Sequence, residues 1–141
     1  MFAEALVCLA LNIYHEAKNQ SFVGQMAVAQ VVMNRVHDSR FPHTVCEVVK
    51  QGPTYSWKKD FPVRNKCQFS WYCDGKSDKV RNESAWQTAT LIAKGVLNGN
   101  LDDFVEGSTH YHATYVEPSW ASSKTYVTLI DDHKFYRWEM K

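Results

Sequence analysis

The chain has 141 residues, the length of one domain that can hide roughly 70% of its unfolded surface with no metal or disulfide to hold it. Apolar residues make up 45% and charged residues 22%, the balance of an ordinary globular protein, and no apolar run is long enough to insert in a bilayer. Sixteen basic residues against fifteen acidic ones leave a net charge of +1, which argues against a nucleic-acid binder that tracks phosphates. Residues 3 to 17 read as a first helix with Leu6, Leu9, Ala10, Ile13 and Ala17 on its inner side. Ser21 is placed to cap a second helix running to Val36, apolar nearly all round and so expected at the centre of the core. Phe41-Pro42 breaks the chain, and "HTVCEVVKQ" predicts a short third helix ending before Gly52-Pro53. Residues 52 to 82 are aromatic and poor in helical period, and a long irregular segment in a compact domain is usually functional. "ESAWQTATLIAKGVLNG" predicts a further helix with Trp86, Ala89, Ala93 and Val96 or Leu97 inward and Gly99 near its end. Beyond Asp103, "STHYHATYV", "TYVTLI" and "KFYRW" read as strands or extended loops. The expected fold is mainly α (α+β), a helical core with a small β or loop-rich face, in one catalytic domain over residues 1–141.

Glu16 is the sharpest candidate for chemistry. It follows Leu9 by seven positions, Asn12 by four and Ile13 by three, so it shares a helix face with the core. Desolvation there disfavours the ionised carboxylate and favours a proton donor near neutral pH; the competing reading is a surface Glu beside Lys18 at a fraying helix end. In "GSTHYHATYVEPSW", an extended backbone sends His110 and His112 to one side and Tyr111 to the other. The pair could wall a cleft, or hold zinc with His133 or Glu16 completing the set. In "CQFSWYCDG", Gln68 and Ser70 would share one side, with Phe69 and Trp71 on the other. Cys67 and Cys73 flank that stretch and could close it as a disulfide outside the cytosol, whereas Cys8 and Cys46, inside apolar helical patterns, read at least as well as free buried thiols.

Four blocks in order, "NIYHEAKNQSFVGQMAVAQVVMNRVHDSRFPHTVCEVV", "CQFSWYCDG", "STHYHATYVEPSW" and "HKFYR", resemble the cell-wall hydrolase family of the spore cortex-lytic (SleB-like) enzymes, over about residues 5 to 137. The most specific part is Y-x-E-A followed by the G-Q-x-A-V-A-x-V-V-x-N-R-V helix. The resemblance implies a fold similar to lysozymes and lytic transglycosylases, Glu16 as catalytic residue, and peptidoglycan glycan strands as substrate, cut at the β-1,4 bond between N-acetylmuramic acid and N-acetylglucosamine. It also implies contacts to the glycan from Tyr14, Gln68, Ser70, Trp71, His110, Tyr111 and His112, with no metal and no cofactor. With no second acid near Glu16 in sequence, a lytic transglycosylase forming a 1,6-anhydro sugar is favoured. A muramidase assisted by Asp74 comes next, and a zinc-dependent amidase built on His110, His112 and His133 stands as the alternative from another class. The opening residues lack a basic n-region, and the two-cysteine central block resembles that of Gram-negative bacteria and their phages. The expectation is therefore a monomeric phage endolysin made in the host cytoplasm, acting on the wall in the periplasm and dependent on a holin for export.

Overall fold

A computed structural model describes residues 2–99 and 101–140. Helices α1 (Phe2–Ala17), α2 (Phe22–Val36), α3 (Val45–Val49) and α4 (Glu83–Leu97) form the body, and α2 is buried along nearly its whole length. Its start is fixed by Ser21, whose hydroxyl accepts a hydrogen bond from the Gly24 amide, as a serine N-cap does. Helix α4 is capped in the same way by Asn82 and ends at Gly99, whose φ of 70° is the left-handed conformation that closes a helix C-terminus. Of the residues expected inward on α4, Ala89 and Ala93 are buried together with Ile92, while Trp86, Val96 and Leu97 are half-buried.

The segment expected to be irregular contains a two-stranded hairpin, β1 (Thr54–Tyr55) and β2 (Lys58–Pro62), then a 3₁₀ turn at Ser70–Cys73. The hairpin is mostly exposed, so it carries no core-facing alternation that would reveal it in the sequence. The C-terminal third forms an antiparallel sheet of β3 (His110–Ala113), β4 (Thr125–Ile130) and β5 (His133–Arg137) in the order β3-β5-β4. Tyr111 stands opposite Phe135 in that sheet.

Two clusters make the core. One gathers α1, α3 and α4 with Phe69 and Trp71, and the other joins Ala17, Ala27, Val28 and Val31 to Val105 and Phe135 of the β half. Tyr111 packs on both, which places it at the seam between helices and sheet. Both pairs of cysteines are bonded, Cys67 to Cys73 and Cys8 to Cys46. The reading of Cys8 and Cys46 as free thiols is thereby overturned: α3 packs across α1 and brings their Cα atoms to 5.3 Å, within disulfide reach. No helix among the described residues is long and apolar enough to cross a membrane.

Candidate active site

Glu16 lies in the last turn of α1, where the negative end of the helix dipole already disfavours a second negative charge. It keeps some surface exposed, yet its carboxyl is enclosed from two directions. The Tyr111 hydroxyl donates to its Oε1 from β3, and the cation of Arg35 acts on it from α2. Burial holds the Glu16 carboxyl above its ordinary range, against the opposing pull of Tyr111 and Arg35. The Tyr111 phenol is pushed well up, first by burial and then by Glu16, so it stays a hydrogen-bond donor across the whole working range.

Arg35 is the residue that sequence reasoning missed. It is only 5% exposed; its Nε donates to the Thr109 carbonyl at 2.7 Å, and its guanidinium lies 4.9 Å from the Phe41 ring and 5.2 Å from Phe69. Burial lowers its pKa to about 10, which leaves it a cation at neutral pH. The signal was present: Arg35 is the one charged residue in the helix "FVGQMAVAQVVMNRV".

The loop closed by Cys67 and Cys73 borders the end of α1. Phe69 and Trp71 turn inward, and Gln68 and Ser70 are exposed, as the alternation predicted. Trp71 is only 8% exposed, however; its Nε1 donates to Asn12 Oδ1 at 2.9 Å and its ring stacks on His15 at 4.6 Å. These contacts brace α1. Tyr14 is 2% exposed, and its hydroxyl accepts from the Arg81 and Asn82 amides, which positions the start of α4.

The histidines are separated from Glu16 by the pleat. Tyr111 faces the helices, whereas His110 and His112 lie on the other face of β3, against Trp120. His112 Nδ1 donates to the Ala113 carbonyl at 2.8 Å, which leaves Nε2 to accept from the Tyr136 hydroxyl at 2.9 Å. His110 is pushed to about 4 by burial first and then by Arg35, Lys124 and Arg40. His133 sits on the Tyr111 side, its ring edge-on to Tyr111 at 5.0 Å. The three imidazoles do not converge, and among the described residues no three His, Cys, Asp or Glu side chains are grouped to hold a metal. The zinc-amidase alternative therefore lacks a donor set. Asp74 accepts from the Lys76 amide in a turn, and the cation of Arg35 acts on Glu16. Concavities open elsewhere, such as one of about 310 Å³ between His112, Pro118 and Lys134, but Glu16 does not line them.

Residues 19–136 match the sequence family described as cell wall hydrolase. That match begins three residues past Glu16. The chain is 30% identical over 128 residues to a spore cortex-lytic enzyme of Halalkalibacterium halodurans, covering 90% of this chain and 33% of that protein. It is 27% identical over 127 residues to the spore cortex-lytic enzyme of Bacillus subtilis, covering 35% of it. The chain thus spans about a third of the length of these relatives. The catalytic domain of the germination-specific lytic transglycosylase SleB from Bacillus anthracis shares the fold, with a TM-score of 0.71 and 24% identity over 94% of this chain and 93% of that one. The catalytic domain of the Bacillus cereus SleB protein does so with a TM-score of 0.68 and 22% identity, over 96% and 91%.

Proposed function

The chain belongs to the cell wall hydrolase family, and from that premise we propose that it is a single catalytic domain that cuts peptidoglycan between N-acetylmuramic acid and N-acetylglucosamine as a lytic transglycosylase. The observation that carries the reading is Glu16: a desolvated carboxyl at the seam of the two halves, served by a phenol donor and a cation. Protonated, it gives its proton to the glycosidic oxygen as the bond to C1 of the muramic acid breaks. The oxygen of that sugar's own 6-hydroxyl then bonds to C1, and its proton passes to the Glu16 carboxylate. The products are a 1,6-anhydro end and a free 4-hydroxyl, no water is consumed, and Glu16 is protonated again. Holding the 6-hydroxyl beside C1 supplies the large effective concentration of an intramolecular attack. Exposed Gln68 and Ser70, on the loop bordering α1, are the proposed glycan contacts of that wall. Two disulfides suit work outside the reducing cytosol, which fits a wall substrate.

Mass spectrometry of the products released from purified peptidoglycan tests the reading, with wild type and Glu16→Gln side by side. Anhydro-muropeptides from the wild type, absent from the variant, are the expected result. Reducing-end muropeptides would replace transglycosylation by hydrolysis with a water-activating acid. Free stem peptides would overturn the glycan reading altogether.

A further inference from the structure

Arg35 poses an energetic problem that the fold alone does not resolve. Enclosing a cation is unfavourable unless an anion and full hydrogen bonding accompany it. Here Nε is satisfied by the Thr109 carbonyl and two aromatic rings flank the guanidinium, but Nη1 is buried with no partner. The carboxyl that acts on Arg35 is Glu16, and no ion pair within 4.0 Å joins the two. While Glu16 is protonated, the cation has no anion facing it; once Glu16 is ionised, the two charges attract, although burial still outweighs that pull on the carboxyl. We propose that Arg35 is a positioning residue whose charge holds the carboxylate that Glu16 becomes on giving up its proton, so that one carboxyl serves first as acid and then as base. The inference rests on Glu16 being the general acid and adds what steadies its carboxylate between the two proton transfers.

The other groups around the pair do not substitute for Arg35. From β3, Tyr111 gives Glu16 one neutral hydrogen bond, and from β5, His133 packs on Tyr111, its imidazole held below the ordinary range chiefly by burial. Beside Arg35 stands His110, neutral above about 4. The remaining basic groups nearby, His15 and Lys18, lie on α1 itself, engaged with Trp71 and the Tyr14 ring. The segment bearing Phe69 contributes a ring and no charge to Arg35.

The test is the pH dependence of muropeptide release by wild type, Arg35→Lys and Arg35→Met, with folding checked by thermal melting. Removing a nearby cation lets a carboxyl stay protonated to higher pH, typically by about one unit or more. The alkaline limb of Arg35→Met is therefore expected to move up by about one pH unit, with a maximal rate at least about tenfold lower because proton donation would then leave a buried carboxylate without its cation. Arg35→Lys keeps the charge and is expected to keep the wild-type limb. A purely structural role would lower the rate and leave the limb in place, so an unmoved limb in Arg35→Met overturns the proposal. An Arg35→Lys limb that moves upward overturns it as well, and that result stands even if Arg35→Met does not fold. Full activity in Glu16→Gln would instead overturn the underlying reading of Glu16.

Discussion

At the residue scale, Glu16 sets stability against function. Folding raises its carboxyl above the value it has in the unfolded chain. Between those two values the native state binds more protons than the unfolded one, so stability falls as pH rises through the window. Below the unfolded value both states are protonated and Glu16 costs nothing; above the folded value the full penalty is present. Glu16→Gln, which cannot ionise, is therefore expected to melt above wild type at neutral pH. The gap should close as pH falls through the carboxylate range, and equal melting at neutral pH would show that ionised Glu16 is fully compensated. The inward placement of Glu16 was legible because helical periodicity put it on one face with Leu9, Asn12 and Ile13. Its partners were harder: Arg35 was marked only by being a charge in an apolar helix, and Tyr111 stood out less than the histidines beside it. Alternation correctly separated Tyr111 from His110 and His112, but only tertiary packing decides which face of a strand meets the helices.

At the scale of elements, the helices were legible from period and caps, whereas their crossings were not. Cys8 and Cys46 lie 38 residues apart, and nothing local in either apolar pattern records that α3 packs on α1. The two disulfides also divide the work. Closing 38 residues restrains the unfolded chain by about 4 kcal/mol, closing six by about 2 kcal/mol. The short loop, though, holds Trp71 on Asn12 and His15, and Phe69 against Arg35. Cys8→Ala/Cys46→Ala should thus lower the melting temperature more than Cys67→Ala/Cys73→Ala does. Cys67→Ala/Cys73→Ala should lose the larger share of muropeptide release when both are assayed below their melting transitions. The reverse order in activity would mean that the short disulfide does not organise the wall beside Glu16.

At the scale of the whole molecule, the site depends on two halves keeping register. Glu16 belongs to the helical half and Tyr111 to the sheet, so their hydrogen bond is only as well placed as the seam. One clasp spans that seam close to the end of α1. Asp131, at the turn between β4 and β5, accepts from the Ser21 amide at 2.8 Å and from its hydroxyl at 2.6 Å, and Gln20 exchanges hydrogen bonds with Asp132 alongside. Gly24 leaves room for this carboxylate, since a Cβ there would collide with it. The Ser21 hydroxyl in turn caps α2, the helix that carries Arg35, so one side chain of the sheet orients both ends of the Glu16 environment. Asp131→Ala removes two hydrogen bonds to a charged acceptor, about 2 kcal/mol, and is expected to lower the melting temperature by roughly 4–8 °C. Because Tyr111 and Glu16 then lose their shared alignment, muropeptide release should fall well below wild type even at temperatures where the variant is fully folded. Asp131→Asn keeps an acceptor and should recover part of both losses. A variant that melts early yet cuts at the wild-type rate would mean that the clasp serves stability alone, and that Tyr111 finds Glu16 through the packing of Phe135 and Val105 against α2.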